Sequence, residues 1–372
     1  MSMNKNFFRK IFFQVHWYLG IFFSLFLFVV ALSGAVLSFE KEIKTALNPA
    51  LYQKNDTKKV QFLPSDIIKI VKQKEPLARV RMIIDDKKSL LPLASLMQKG
   101  EKGHEAMLYS INLNTSELTL LKGERMFRFM NDFHRRLLTG HIGSQIVALT
   151  SISLLLLMIS GVYLYWGRLK RRFFNSFKIN FHKKGRAFLY QLHSALGMWL
   201  IPWYLIIILS GLYWSYAWYG NMIQSFANVN IPISGKMMRS KKMKKTKIPL
   251  GTYDVAWKIF NAQNIVYKKA ILKLSVKNKI VNLNYLNKDS MHSDAYNLIS
   301  IDTQKRKLVS HKNFNKLPIG EQIVRSMSTI HSGEFFGWFG RISIFIGSIL
   351  MSIFVITGWM LYLSRRKKVL NK

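Results

Sequence analysis

The sequence predicts a membrane protein with an all-α four-helix transmembrane core built as two parallel repeats, carrying two small α+β extracytoplasmic domains. Three observations predict this. Four long apolar runs punctuate the 372 residues, basic residues gather beside them, and the chain matches itself at two offsets.

The apolar runs cover about 17–39, 142–166, 188–218 and 342–363. Each is long enough to cross a hydrocarbon core of roughly 30 Å as a helix. Pro202 lies inside the third, where a membrane helix tolerates a kink. The high aromatic content fits rings at two membrane interfaces.

The net charge is +38, which first suggests a nucleic-acid binder. The basic residues instead fall beside the spans, so no nucleic-acid partner is expected. Arg9 and Lys10 precede the first span, a cluster including Arg168, Arg171, Lys183 and Arg186 joins the second to the third, and Arg365 to Lys368 follow the fourth. The positive-inside rule makes those segments, and both termini, cytoplasmic. The long segments 40–125 and 219–330 are then extracytoplasmic. The basic run at 235–247 is on the wrong side for the rule, in a long loop where charge counts for less. The N-terminus loosely resembles a signal peptide, but its apolar stretch is long for one, so it is expected to stay attached.

At an offset of 177 the first span falls on the third. His16 meets His193, Leu19-Gly20 meets Leu196-Gly197, and Ser33-Gly34 meets Ser210-Gly211. At an offset of 197 the second falls on the fourth, with His134 on His331, Gly143 on Gly340 and Gly161 on Gly358. Each half reads as span, outer segment, span, so both keep one orientation about an axis along the membrane normal. The paired small residues suit close helix contact. The outer segments read as a helix at 64–73 or 252–263, then strands around an Asn or Asp turn at 108–123 and 296–310. An amphipathic stretch follows each, at 124–138 and 321–332.

The expected organisation is a first transmembrane helix (1–40), outer domain 1 (41–125), interfacial helix plus second span (126–168), and basic loop (169–186). The third span (187–218), outer domain 2 (219–320), and interfacial helix, fourth span and basic tail (321–372) complete it.

The chain has no cysteine, which excludes thiolate zinc sites, iron–sulfur clusters and covalent haem attachment. It leaves b-type haem, which needs only axial ligands. Of nine histidines, only His16 with His193 and His134 with His331 form matched pairs. Topology puts the first pair near the cytoplasmic face and the second near the outer face. Two imidazoles across a symmetry axis supply both axial bonds of a haem iron, an arrangement suited to electron transfer. Two pairs predict two haems b, with His16, His193, His134 and His331 as ligands.

Depth raises one rival. Gly143 to Gly161 already spans about 27 Å of helix, and His134 lies about 13 Å further out. The outer site therefore needs the amphipathic stretch to bend back. His141 sits at a better depth but aligns with Trp338 and lacks a mate, so His134 is preferred. Arg128, Arg135, Arg136, Arg325 and Arg341 crowd the outer pair, where arginines bind either haem propionates or lipid headgroups.

"H-x-x-x-G…SG" in spans one and three, "FHRRLLTGHIG" (133–143) and "IHSGEFFGWFGR" (330–341) together resemble the PepSY-associated transmembrane proteins. The resemblance covers nearly the whole chain, and the outer segments look like PepSY modules. It implies a bacterial inner-membrane protein with periplasmic loops, similar to di-haem reductases that reduce ferric siderophores in iron uptake. This sequence shows no fused flavin or nicotinamide domain. "GEFFGWFGR" leads into a span and follows no strand, so it is not a dinucleotide fingerprint. An external donor, a quinol or a cytoplasmic reductase, is therefore expected, with lipid and a ferric chelate as the other partners. Strongly basic loops suit an anionic chelate. The alternative is a membrane-tethered PepSY binding or regulatory protein without redox activity. A transporter is disfavoured because ionisable residues are nearly absent between the span ends.

Overall fold

A computed structural model describes residues 5–52, 61–100, 103–231, 249–277 and 279–370. The basic run at 235–247 lies outside the described residues. Among the described residues, four helices are long and apolar enough to cross a membrane. They are α1 (Lys5–Leu37), α5 (His141–Arg171), α6 (Gly185–Ser215) and α11 (Gly337–Leu370). Between them in sequence lie α2 (Glu40–Leu47), α3 (Pro64–Lys74), α4 (Glu124–Arg136), α7 (Ala217–Phe226), α8 (Gly251–Ala262), α9 (Ile319–Arg325) and α10 (Met327–His331).

The spanning helices run further than their apolar runs. Helix α1 starts twelve residues before Trp17, so His16 lies inside a helix and not at its mouth. Its polar first turns carry Arg9 and Lys10 past the apolar stretch, where long cationic side chains reach toward a polar boundary. Only 22–33% of each apolar window is buried within the protein. Phe22, Leu25, Ile159 and Trp199 stand exposed on the outer surface. A soluble helix would hide such a face, whereas a membrane helix offers it to lipid.

Helix α1 packs against α5 and α11, and α6 packs against the same two, so α1 and α6 are diagonal partners. The waist is filled by Leu27, Leu157, Leu200, Tyr204, Ile208 and Met351. Tyr204 is almost wholly buried there, and its hydroxyl donates to the Gly347 carbonyl at 2.8 Å, satisfying the polar atom that burial would otherwise penalise.

The outer segments differ from expectation in one respect. Their strands join in one antiparallel sheet, in the order β4-β3-β2-β1-β5-β6-β7-β8, where two separate domains were expected. The first segment supplies β1 (Arg79–Asp86), β2 (Leu93–Gly100), β3 (Gly103–Asn112) and β4 (Glu117–Leu120). The second supplies β5 (Tyr267–Lys277), β6 (Ile280–Asn287), β7 (Asn297–Asp302) and β8 (Lys307–Lys312). Strands β1 and β5 meet at the centre, pairing Met82 with Lys273 and Ile84 with Ile271. An exposed edge strand is a liability, and joining two edges removes both. From that seam the order outward is the same in each direction.

One sheet face carries the larger core. Val80, Ile83, Leu96, Leu272, Leu283 and Ile299 point into it, and α3 and α8 cover it with Ile67, Val71, Trp257 and Phe260. Phe62 stacks on Trp257 at 5.2 Å, tying the two segments together above the seam. Alternation along each strand sends these residues one way and leaves the other face mixed.

Candidate functional site

The two expected histidine pairs are both brought together. His16 on α1 and His193 on α6 have ring centres 6.3 Å apart. His134 on α4 and His331 on α10 are also 6.3 Å apart. The first pair lies toward the end of the bundle that holds the termini, the second toward the end that holds the sheet. Seventeen residues of α1 separate His16 from Ser33, which touches His134, placing the sites about 26 Å apart along the helix.

The depth problem is resolved by a reversal of the chain. Helix α4 ends with Leu137 and Leu138 in left-handed conformations, φ 47° and 60°, and Gly140 at φ 64°. The chain then turns into α5, and α4 lies back against α1 and α5. The fold-back is close enough that a Cβ on Gly143 would collide with the Arg136 carbonyl. Gly340 plays the same part in the second half, where a Cβ would meet the Gly333 carbonyl oxygen at 2.5 Å. His141 is exposed at the first turn of α5. The second amphipathic stretch is not one helix: it breaks at Ser326 into α9 and α10.

Each histidine is met by a Ser-Gly or Thr-Gly dipeptide on a neighbouring helix. His16 Nδ1 lies 3.0 Å from Ser160 Oγ and 3.1 Å from the Leu157 carbonyl. His134 Nδ1 lies 3.1 Å from Ser33 Oγ and 2.9 Å from the Val30 carbonyl. His331 Nδ1 lies 3.0 Å from Ser210 Oγ, and the ring also donates to the Ile207 carbonyl. His193 Nδ1 lies 2.8 Å from Thr357 Oγ1.

The glycine of the dipeptide makes room for the ring. A Cβ on Gly34 would stand 3.1 Å from His134 Cε1, one on Gly211 3.1 Å from His331 Cε1, and one on Gly161 3.3 Å from His16 Cε1. Gly358 is the exception, with nothing within 4 Å. The repeated Ser-Gly positions read from the sequence as helix-contact residues, and that reading missed the histidines they hold. The signal was the dipeptide itself, present as Ser33-Gly34, Ser160-Gly161, Ser210-Gly211 and Thr357-Gly358.

The pair near the termini borders a cavity of about 1450 Å³. Small-molecule and cofactor sites run to roughly 300–1,000 Å³, so the space accepts a large ligand. Gly20, Gly161, Gly197 and Gly358 line it, and Arg9, Arg186 and Arg365 are among its polar walls. At the sheet end, burial holds the His134 and His331 imidazoles below the ordinary histidine pKa, and the nearby Arg135 charge pushes the same way. Both are therefore neutral at pH 7, the form that can bind a metal ion.

Among the arginines expected around the outer pair, three have other partners. Arg341 makes a bidentate ion pair with Glu42 and donates to the Ser38 carbonyl, Arg325 pairs with Glu321, and Arg136 with Asp132. Arg128 also makes an interaction of its own. Arg135 is the one whose charge reaches both His134 and His331.

Among the described residues no three metal-ligating side chains gather in one place. The four histidines stand as two separate pairs.

The model of the PepSY-associated TM region family matches residues 13–365, from the helix turn before His16 to the end of the last span. The chain belongs to the PepSY-associated TM region family. No curated protein matches it. As a member of that family with four spans, it is a membrane protein, and its exposed apolar helix faces contact lipid.

Proposed function

We propose that the chain is a di-haem b electron-transfer protein of the bacterial inner membrane that reduces a ferric chelate, such as a siderophore, on its periplasmic side. One observation carries the reading: two histidine pairs with the same ring separation stand at opposite ends of one apolar bundle. Imidazole–metal bonds of about 2.0 Å, with each nitrogen about 1.1–1.2 Å from its ring centre, put two rings about 6.2–6.4 Å apart across one metal ion. Both pairs have that separation. Coordination by two histidines leaves no open position, which favours electron transfer over ligand chemistry.

The donor set fits haem b. His16 with His193, and His134 with His331, would hold the two groups, and haem would supply one-electron redox chemistry at each. The large cavity beside His16 and His193, floored by glycines, supports the first site. Arg9, Arg186 and Arg365 at that cavity suit carboxylate groups, which arginine binds in bidentate fashion. Arg135 is the corresponding candidate at the sheet end. The waist between the sites, packed with Leu27, Leu157, Ile208 and Met351, excludes water from the route between them.

Sidedness follows from charge. Arg9, Lys10, the basic cluster before α6 and Arg365 share the end of the bundle opposite the sheet, which the positive-inside rule makes cytoplasmic. The sheet is then periplasmic, and the electron donor, a quinol or a cytoplasmic reductase, acts at the opposite end. The palindromic strand order and the matched histidines support a duplicated half-protein as the origin of both sites.

Purified protein expressed with ample haem tests the reading through a reduced-minus-oxidised spectrum. A b-type spectrum with two haems per chain is expected. His193→Ala should remove one and leave the other. Colourless wild-type protein would overturn the proposal and favour a membrane-tethered binding protein.

A further inference from the structure

We infer that Thr357 is a positioning residue: its hydroxyl alone sets the tautomer of His193, a task that backbone carbonyls share at the other three histidines. The inference rests on the haem reading for its purpose but not for its physical content.

Neutral imidazole carries one proton, on Nδ1 or on Nε2, and only the unprotonated nitrogen can bind a metal. The partner of Nδ1 decides which. A carbonyl only accepts, so an Nδ1 facing one must carry the proton. His16 meets the Leu157 carbonyl and His134 the Val30 carbonyl. The His331 ring donates to the Ile207 carbonyl, and Ser210 Oγ, which lies 3.0 Å from Nδ1, contacts that same carbonyl at 3.2 Å. These three are Nδ1–H tautomers whatever the neighbouring serine does, with Nε2 left as the lone-pair nitrogen. No hydrogen bond reaches Nε2 of any of the four among the described residues.

His193 is different. Its hydrogen-bond partner among the described residues is Thr357 Oγ1, at 2.8 Å. A hydroxyl can donate or accept, so the tautomer depends on where the threonine proton points. It points away from the ring. Thr357 donates along its own helix to the Ile353 carbonyl at 2.6 Å, as threonines in helices commonly do. The oxygen is left to accept, and His193 Nδ1 must donate. The same one-turn bond occurs at the serines, from Ser33 to Val29 at 2.9 Å, from Ser160 to Leu156 at 2.7 Å and from Ser210 to Ile206 at 2.5 Å. There it repeats an instruction that the carbonyls already give. Gly358 adds to the contrast, because its Cα leaves open space where the other three glycines press on a ring. Phe354 packs edge-on against the His193 ring at 5.1 Å, but Thr357 is its hydrogen-bond partner among the described residues and so carries the choice of tautomer.

The test uses the full chain with ¹⁵N-labelled histidine in detergent or nanodiscs, without added haem. Imidazole nitrogen shifts report the tautomer directly. Four buried rings in the Nδ1–H form are expected in the wild type. Thr357→Val keeps the shape and removes the hydroxyl, and should move one ring into a mixture of tautomers. Thr357→Ser should restore it. Ser160→Ala should leave His16 in the Nδ1–H form, because the Leu157 carbonyl remains. An unchanged His193 in Thr357→Val, or an equal change in Ser160→Ala, would overturn the inference.

A second readout uses haem-loaded protein. Outer-shell partners of a ligating histidine typically contribute about 10–100-fold to metal affinity. Thr357→Val should lose one haem to a haem-scavenging apoprotein faster by about that factor, and its reduced form should newly bind carbon monoxide at that site. Wild-type protein that takes up no haem would sink the proposed function while leaving the tautomer result standing. Haem held equally well in wild type and Thr357→Val, with no change in nitrogen shifts, would sink the threonine's role alone.

Discussion

Gly143 and the Arg136 carbonyl approach so closely that no side chain fits between them. That contact closes the reversal between α4 and α5, and the reversal carries His134 from the outer surface back to Ser33. A methyl group on Gly143 must push the two helices apart.

Gly143→Ala should therefore damage one site and spare the other. Backbone is the obstructing group, so the strain cannot be relieved by rotating a side chain. Overpacking of this kind costs about 1–3 kcal/mol or displaces the element. Under the haem reading, the His134–His331 haem is lost or altered while the His16–His193 haem keeps its spectrum. Potentiometric titration of the two haems checks this, and equal disturbance of both would show that α4 is not positioned by this contact.

The matched histidines were legible in the sequence because the chain repeats itself, and repetition exposes residues held constant while others drift. The four spans were legible from their apolar runs. The sheet seam was not, since the pairing of β1 with β5 joins residues about 190 positions apart and edge pairing leaves no local pattern. The role of Ser33, Ser160, Ser210 and Thr357 was hidden for another reason. Small residues in membrane helices usually mark helix contact. The same residue types here also hydrogen-bond a ring, and only the packing of α1 on α5, α4 on α1, α10 on α6 and α6 on α11 shows it. The break at Ser326 was masked by apolar spacing that continues across it, though its backbone turns and its hydroxyl serves His292.

Acidification should destabilise the sheet end through His292. This residue is 2% exposed, and its Nδ1 accepts from the Asp294 N–H at 3.2 Å, while its Nε2–H donates to Ser326 Oγ at 3.0 Å. Burial lowers its pKa, the Lys41 and Lys268 charges push the same way, and Glu334 opposes them. The unfolded chain takes up a proton near pH 6.5 and the folded chain does so only at lower pH. Stability is thus full above about pH 6.5 and falls as pH drops below it. Burial of His134 and His331 acts with the same sign. His292→Leu should lower the thermal midpoint at pH 7.5 but flatten its decline toward pH 5.5. A decline as steep as that of the wild type would remove His292 from the account.

Arg341 should matter as an arginine and not merely as a cation. Its two terminal nitrogens reach the Glu42 carboxylate at 2.7 and 2.6 Å, and one also donates to the Ser38 carbonyl at 2.8 Å. The contact ties the start of α11 to the end of α1 and to α2. Lysine cannot reproduce the planar fork. Glu42 is partly exposed, so the loss on Arg341→Lys should be modest, about 1–2 kcal/mol. Glu42→Gln should cost less than Arg341→Ala, which leaves the carboxylate without its main partner. Thermal unfolding of the three variants gives the order, and a lysine variant as stable as wild type would contradict it.

Gly358 offers the cleanest separation of fold from ligand binding. It lines the large cavity beside His16 and His193, and a Cβ built there meets nothing within 4 Å. Glycine inside a helix is worse than leucine by roughly 0.5–1 kcal/mol, so Gly358→Leu should fold as well as the wild type or slightly better. The added side chain nevertheless occupies space that a large flat cofactor between the histidines needs. Under the haem reading, the expected result is an unchanged or raised thermal midpoint in haem-free protein together with loss of the haem at that end, while the His134–His331 haem stays. Gly161→Leu makes the contrast, since a Cβ there already crowds His16 Cε1 at 3.3 Å and should disturb ring and helix alike. Two full haems in Gly358→Leu would mean that the cavity is not where the cofactor sits, and the His16–His193 site would need another occupant.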